Sequence, residues 1–371
     1  MDTPKTVFRF SAACGLRDVR STTRVVRLSV LVLVIVATAS VGCFRTQFPG
    51  QSYDGALPTL TVEQVRLRDR LQADVTKLAG EIGERHVFGR EKELAAAGDY
   101  IEAELTSAGY AVRQVDVPFD GSVPEGEGET VHVVGTAPNI EVEIRGSDRA
   151  GEIVVVGAHF DTVKGTPGAD DNASGVAALL ALARIAAGTH PSRTLRFVGF
   201  FNEEPPFFNT GKWMGSEVYA QECAKLHENV VAMLSLEAMG YFADGEGTQD
   251  FPGPLGWFYP SRGNFIAFVG NGPSDALVES AIVAFRRQGK VPSEGLVSNL
   301  GATGFSDQRS FWRAGYRGLM VTDTALFRNE TYHEATDVPD TLDYVRLALV
   351  VEGLREVLAD LAGIGRPPIG L

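Results

Sequence analysis

From residue 61 onward the chain switches between two hydrophobic rhythms. Leu67, Leu71, Val75, Leu78 and Ile82 recur at helical spacing and predict a helix beginning soon after Thr61. Thr61 with Gln64 three residues on resembles a capping box, which would set that start. Residues 91–108 predict a second amphipathic helix, closed by Gly109. Strand and helix then alternate. Strands are predicted at 140–144, 153–158, 194–201, 230–236, 264–269 and 318–322, and helices at 173–187, 216–224, 274–288 and 342–361. The strands at 153–158 and 194–201 are apolar almost throughout, which suits a sheet covered on both faces. The expected fold class is α/β: a three-layer αβα sandwich around a central mixed, mostly parallel sheet, in one domain over residues 61–371.

The first 43 residues follow neither rhythm. Residues 1–27 carry six basic residues against two acidic ones, and an uncharged apolar run fills 28–41 before Gly42 and Cys43. A basic stretch, a short apolar core and small closing residues read as an export signal. The run is shorter than the about 20 residues a membrane-spanning helix needs. Ser40-Val41-Gly42-Cys43 resembles a bacterial lipobox with Ser40 where Leu is usual, so Cys43 is the expected lipid attachment point. An uncleaved signal anchor, or a plain signal cleaved nearby, is the alternative. The expectation is an exported cell-envelope protein, membrane-anchored and facing the periplasm or the exterior. Residues 44–60 hold Gly, Pro, Ser and Gln without periodicity and read as a flexible tether.

Composition narrows the function. A hydrophobic share of 44% with 22% charged residues excludes a wholly disordered chain. The net charge is −13, and −17 once the basic leader is set aside. Such acidity argues against a nucleic-acid partner, which would need a basic face. Cys14 and Cys43 fall in the leader, so Cys223 stands alone and no intramolecular disulfide is expected afterwards.

Ligands of such sheets sit beyond the carboxyl ends of the strands. There the sequence places His159 and Asp161, then Pro167-Gly168-Ala169-Asp170-Asp171-Asn172, then Glu203-Glu204, then Glu237, and late in the chain Tyr332-His333-Glu334. Adjacent carboxylates repel unless a cation lies among them. A His and carboxylate set without Cys suits catalytic Zn²⁺, with Mn²⁺ or Co²⁺ as substitutes. Asp161, two residues after His159, is placed to accept that ring's other N–H. Glu203 and Glu204 point to different sides, so one is free to bind metal while the other handles a proton.

These motifs resemble metallopeptidase family 28, the bacterial leucyl aminopeptidase type with two co-catalytic zinc ions, over roughly residues 75–363. The resemblance implies the zinc-exopeptidase-like (phosphorylase/hydrolase-like) form of the fold and a metallo-aminopeptidase acting on peptide substrates. It implies two Zn²⁺ held by His159, Asp170, Glu204, Glu237 and His333, with Asp170 bridging and the Asp170–Asp171 peptide cis. Glu203 would be the general base, and Asp161 would orient His159. Two departures stand out. The stretch between Glu204 and Gly215 is longer than usual, and Ser306-Asp307-Gln308 replaces a common Ser-Asp-His. Tyr332 is a candidate oxyanion donor. Glutaminyl cyclase, carboxypeptidase or dipeptidase activity on the same fold, and a non-catalytic binding protein, are the alternatives. His86, His132, His190 and His227 read as packing or surface residues, and Val269-Gly270-Asn271-Gly272 reads as a turn rather than a dinucleotide loop.

Overall fold

A computed structural model describes residues 44–124 and 130–365. The export signal and Cys43 lie outside them. No helix among the described residues is long and apolar enough to cross a membrane.

The chain builds a nine-stranded sheet in the order β1-β8-β7-β9-β6-β4-β5-β3-β2. The strands are β1 (Phe44–Arg45), β2 (Arg113–Pro124), β3 (Thr130–Ile144), β4 (Arg149–His159), β5 (Arg193–Phe200), β6 (Asn229–Glu237), β7 (Ile266–Gly270), β8 (Ser293–Ser298) and β9 (Gly318–Thr322). The central four, β5, β4, β6 and β9, run parallel, while β2, β3 and the β7–β9 pairing are antiparallel. Register aligns the functional ends. His159 lies opposite Phe200, and Glu237 lies opposite Thr322. The carboxyl ends of β4, β5, β6 and β9 therefore share one rim.

Two helical layers cover the sheet, as the apolar strands require. Val154, Val156 and Ala158 face a core shared with α1 (Val62–Val75), α2 (Glu91–Ser107), α3 (Gly175–Ala186), α5 (Asp275–Gln288) and α7 (Tyr344–Ala362). Ile153 and Val155 face the other way, onto Tyr219, Ala220 and Cys223 of α4 (Gly215–Lys225) and Phe311 of α6 (Gln308–Arg313). This is the expected α/β sandwich. Its first helix begins where its cap predicts. Thr61 accepts from the Gln64 backbone and the Gln64 side chain returns a bond to the Thr61 N–H. The helical stripe continues past Val75 as a wider turn over Thr76–Ile82.

Two expectations change. The strand expected at 140–144 is the end of a long hairpin, with Arg113 opposite Glu141 and Pro124 opposite Thr130. Half of it faces solvent, so its apolar positions are diluted. The segment read as a flexible tether is docked through residues 45–52. Arg45 pairs with Asp275 (2.7 Å) and with Glu279. Arg286 donates to the carbonyls of Phe48, Pro49 and Gly50, and Ser52 Oγ accepts from Ser293 N–H. Val269 and Gly270 end β7, where a turn was expected from Val269 on, and the chain turns at Asn271–Gly272, with Asn271 accepting from Ser274 N–H.

Candidate metal centre

His159 ends β4 as a fully buried imidazole. Its Nε2 lies 3.2 Å from Asp171 Oδ1 and 3.3 Å from Glu237 Oε2, and its Nδ1 lies 3.3 Å from Asp161 Oδ1. None of these is an aligned hydrogen bond. Both ring nitrogens are buried without a hydrogen-bond partner. Across Asp171, His333 Nε2 stands 3.1 Å from Asp171 Oδ2 and 3.4 Å from Glu204 Oε2. The structure thus gathers two groups, His159–Asp171–Glu237 and Asp171–Glu204–His333, each with one ligand atom per residue within 4.8 Å of the others. They share Asp171.

Asp170, expected as the bridge, belongs to neither group. Its carboxylate is spent on Gly240 N–H (2.9 Å) and on the Asn329 amide (2.8 Å), so it buttresses the loop. The cis peptide shifts in step and falls at Asp171–Asn172 rather than Asp170–Asp171. The backbone explains the choice. Asp171 and Asn172 leave helical geometry (φ −107°, ψ 92° and φ −135°, ψ 37°), which turns the second carboxylate inward. Asn172 then ties the loop to β6, donating to Leu236 C=O and accepting from Ala238 and Gly175 N–H. Gly168 permits the turn. Its φ is +62°, and a Cβ there would lie 2.3 Å from Asp171 O.

Asp161 works harder than its spacing implied. Besides facing His159, its two oxygens accept the backbone N–H groups of Glu203 (2.9 Å) and Glu204 (3.0 Å). One carboxylate therefore fixes the chain that carries both glutamates. His333 holds a positive φ of 61°, a sparsely populated conformation for a side-chain-bearing residue. Tyr332 stacks on it with ring centroids 3.9 Å apart.

The electrostatics are those of crowded, buried acids. Burial first, and Asp171 second, push Glu204 up to about 8; burial, opposed by His159 and reinforced by Glu237 and Glu204, pushes Glu203 well above the carboxylate range. Asp171 goes the other way: burial opposes its charge, but contacts with His159 and His333 hold it below the usual range. Burial opposes charge on His333 too, and Asp171 and Glu204 override it, raising the ring to about 10.

Several contributors carried no readable signal. Ser306 Oγ donates to Glu237 Oε2 at 2.6 Å and meets Ser235 Oγ at 2.9 Å. Asp307 is buried with neither oxygen hydrogen-bonded and is pushed up by burial to about 7. Arg85 is fully buried and donates to the carbonyls of Phe160, Pro167 and Gly168, clamping the His159 and Asp171 loops together. Nothing in its local sequence marks it. Ser306 and Asp307 sit in the motif where Gln308 replaces His, so the motif was visible but its contact to Glu237 was not.

The donor set fits zinc. It is two imidazole nitrogens and carboxylate oxygens, gathered from strand ends and two loops, with His159 Nδ1 and Nε2, Asp171 Oδ1 and Glu204 Oε1 buried without hydrogen bonds. Buried polar atoms of native proteins are rarely left so; cations in the two groups would engage His159 Nε2, Asp171 and Glu204, while His159 Nδ1 faces Asp161.

Comparison with known proteins agrees. Residues 139–358 match peptidase family M28. The uncharacterized protein YfbL of Escherichia coli (strain K12) is 35% identical over 276 residues, covering 71% of this chain and 80% of YfbL. A probable zinc metalloprotease of Pyricularia oryzae is 29% identical over 196 residues, covering 49% of this chain and 37% of the fungal protein. The chain thus spans well under half of that relative. Among solved structures, a zinc aminopeptidase from Bacillus subtilis superposes with a TM-score of 0.60 at 15% identity, over 84% of this chain and 97% of that one, which shows a shared fold.

Proposed function

The chain belongs to peptidase family M28 and is a zinc peptidase, and from that premise we propose an exopeptidase that removes N-terminal residues from peptides, using two zinc ions. The observation that carries the reading is the pair of His–carboxylate groups sharing Asp171, with Glu203 next to one of the ligands. His159, Asp171 and Glu237 would hold one ion, and Asp171, Glu204 and His333 the other. Zinc so held supplies Lewis acidity that polarises a scissile carbonyl and makes water acidic enough to attack it at neutral pH.

The chain's own residues do the rest. Glu203 takes the proton of the attacking water and returns it to the leaving amine. Asp161 holds the Glu203 and Glu204 backbone so that one side chain carries a proton while the other is a ligand. Ser306 fixes Glu237 through its 2.6 Å bond. Arg85 sets a buried positive charge behind the two loops, offsetting part of their acidity. Tyr332, stacked on His333, faces the same carboxylates and is the candidate donor to the oxyanion.

The test is zinc content of the purified chain together with hydrolysis of aminoacyl chromogenic substrates. Expected are about two zinc ions per chain and activity that disappears on chelation. Glu203→Gln should lose about 10²–10⁴-fold in rate with its zinc content intact. Activity only on blocked N-termini would reject the exopeptidase reading. For location, we propose export and lipid anchoring at Cys43. The protein should fractionate with membranes and Cys43→Ser should release it or block its processing. An unchanged membrane fraction in that variant would reject the lipid anchor.

A further inference from the structure

Beside Glu204 and Asp161 lies a cavity of about 320 Å³ that none of the steps above uses. Three segments build it. They are the loop after β4 through Val163, the link between α1 and α2 with His86 and Phe88, and the long stretch after Glu204 with Pro205, Pro206 and Phe207; Pro124 at the end of β2 closes it. The wall is an aromatic row. His86 tilts against Phe88 at 5.7 Å, Phe88 stacks on Phe207 at 5.8 Å and 16°, and Phe207 meets Trp213 edge-on at 6.3 Å.

This wall is anchored. Phe207 N–H donates to Glu204 C=O at 3.0 Å, and Gly211 N–H to Phe207 C=O at 2.8 Å. Arg309 pins the next residue, donating to Phe208 C=O at 2.7 Å and lying 4.1 Å over its ring. Most of the polar side chains on the lining are engaged elsewhere. Asp161 accepts two backbone N–H groups, His86 bonds Glu84 (2.8 Å) and accepts from Phe88 N–H, Thr162 accepts from Arg85 N–H and Asn202 donates to Trp213 C=O. Lys164 and Glu204 add charge at the edge, and Phe88, Pro124, Val163, Pro205, Pro206 and Phe207 give the cavity an apolar and aromatic wall.

We propose that this cavity receives the side chain of the substrate residue that carries the leaving amine, and that it selects an apolar side chain of leucine or phenylalanine size. The inference rests on the peptidase reading above. Its position follows from the chemistry. The leaving amine must come within about 3 Å of the Glu203 carboxyl to take its proton, and the cavity is bordered by Glu204 and by Asp161, the carboxylate that holds the N–H groups of both glutamates. Its volume lies at the lower end of small-ligand pockets, about 300–1,000 Å³, enough for one large side chain. The segment that lengthens the chain between Glu204 and Gly215 is the same one that supplies the wall.

The test uses the zinc-loaded full chain, Val163→Phe to fill the cavity and Phe88→Ala to open it. Two dipeptide series separate the sides of the scissile bond: leucylglycine, leucylalanine and leucylphenylalanine vary the leaving residue, and alanylglycine and phenylalanylglycine vary the other. The wild type should prefer leucylphenylalanine over leucylglycine by about tenfold or more in kcat/KM, the range one apolar group commands in a hydrophobic pocket. Val163→Phe should abolish that preference and leave leucylglycine and the second series unchanged. Phe88→Ala should weaken it without loss of zinc. A wild type indifferent to the leaving residue, or variants that shift the second series instead, would overturn the proposal. Calorimetric binding of leucylphenylalanine and leucylglycine to zinc-loaded Glu203→Gln supplies a readout without turnover. Equal affinity for the two dipeptides would also overturn it. A preference for leucylphenylalanine there, with a wild type that cleaves no peptide, would reject the peptidase reading and leave only the cavity's apolar selectivity standing.

Discussion

Two clusters of charge lie on this sheet, one part-buried and one buried, and both use glutamates, to opposite ends. On the face covered by α4, Arg113 grips both oxygens of Glu141 (2.8 Å each) and Tyr219 donates to the same carboxylate at 2.6 Å. Arg196 bonds Glu228 at 2.7 and 2.8 Å and Glu143 at 2.8 Å. No atom of these six residues is left buried without a partner. At the strand ends, His159, Asp171 and Glu204 each leave buried atoms unbonded, and acids face acids. The first cluster closes on itself, and its Glu228 is held below the usual range by Arg196. The second is open by one kind of partner, a cation, and burial pushes its Glu204 up to about 8. Buried charge by itself marks neither structure nor function. Whether it is satisfied does.

The comparison breaks first at Asp171. Asp171→Asn should cost zinc binding and with it all measurable hydrolysis, whereas Asp170→Asn, one residue away, should keep the zinc content of the wild type. Metal analysis of the two purified variants decides between them. Equal zinc loss in both would mean the loop, not the carboxylate, is the determinant. The closed cluster should respond in stability instead. Arg196→Ala strands Glu228 and Glu143, whose side chains are 24% and 37% exposed. The cost should be about 2 kcal/mol, below the ~3–5 for a fully buried pair, read by denaturant titration with zinc content unchanged. A smaller effect sharpens the boundary between the two. Ser306→Ala removes the bond to Glu237 and should lower metal affinity or activity about 10–100-fold while leaving the melting temperature nearly unchanged.

Much of this was legible in the chain. The capped start of α1, the parallel strands and the rim where they end follow from periodicity, because both faces of the central sheet are buried and polar residues are excluded from it. His159, Glu204 and Glu237 stood out as polar residues at the ends of apolar runs, and His333 through its Tyr332-His333-Glu334 setting and the family resemblance. The Asp170–Asp171 pair did not resolve, since two identical side chains differ only through φ and ψ of the loop that carries them. Arg85 was hidden for a similar reason. Its partners are backbone carbonyls, those on the site loops more than 70 residues downstream, and backbone atoms leave no trace in a pattern of side chains. The hairpin of β2 and β3 escaped because Val134 and its neighbours alternate with exposed positions too irregularly to read as a buried strand.

Asp161 carries a consequence for motion. Because its carboxylate holds the N–H groups of both Glu203 and Glu204, any drift of the β4 end displaces the two glutamates in common. The backbone of the loop after β5 is thus tied to the end of β4, so His159 and the two glutamates share one frame of reference.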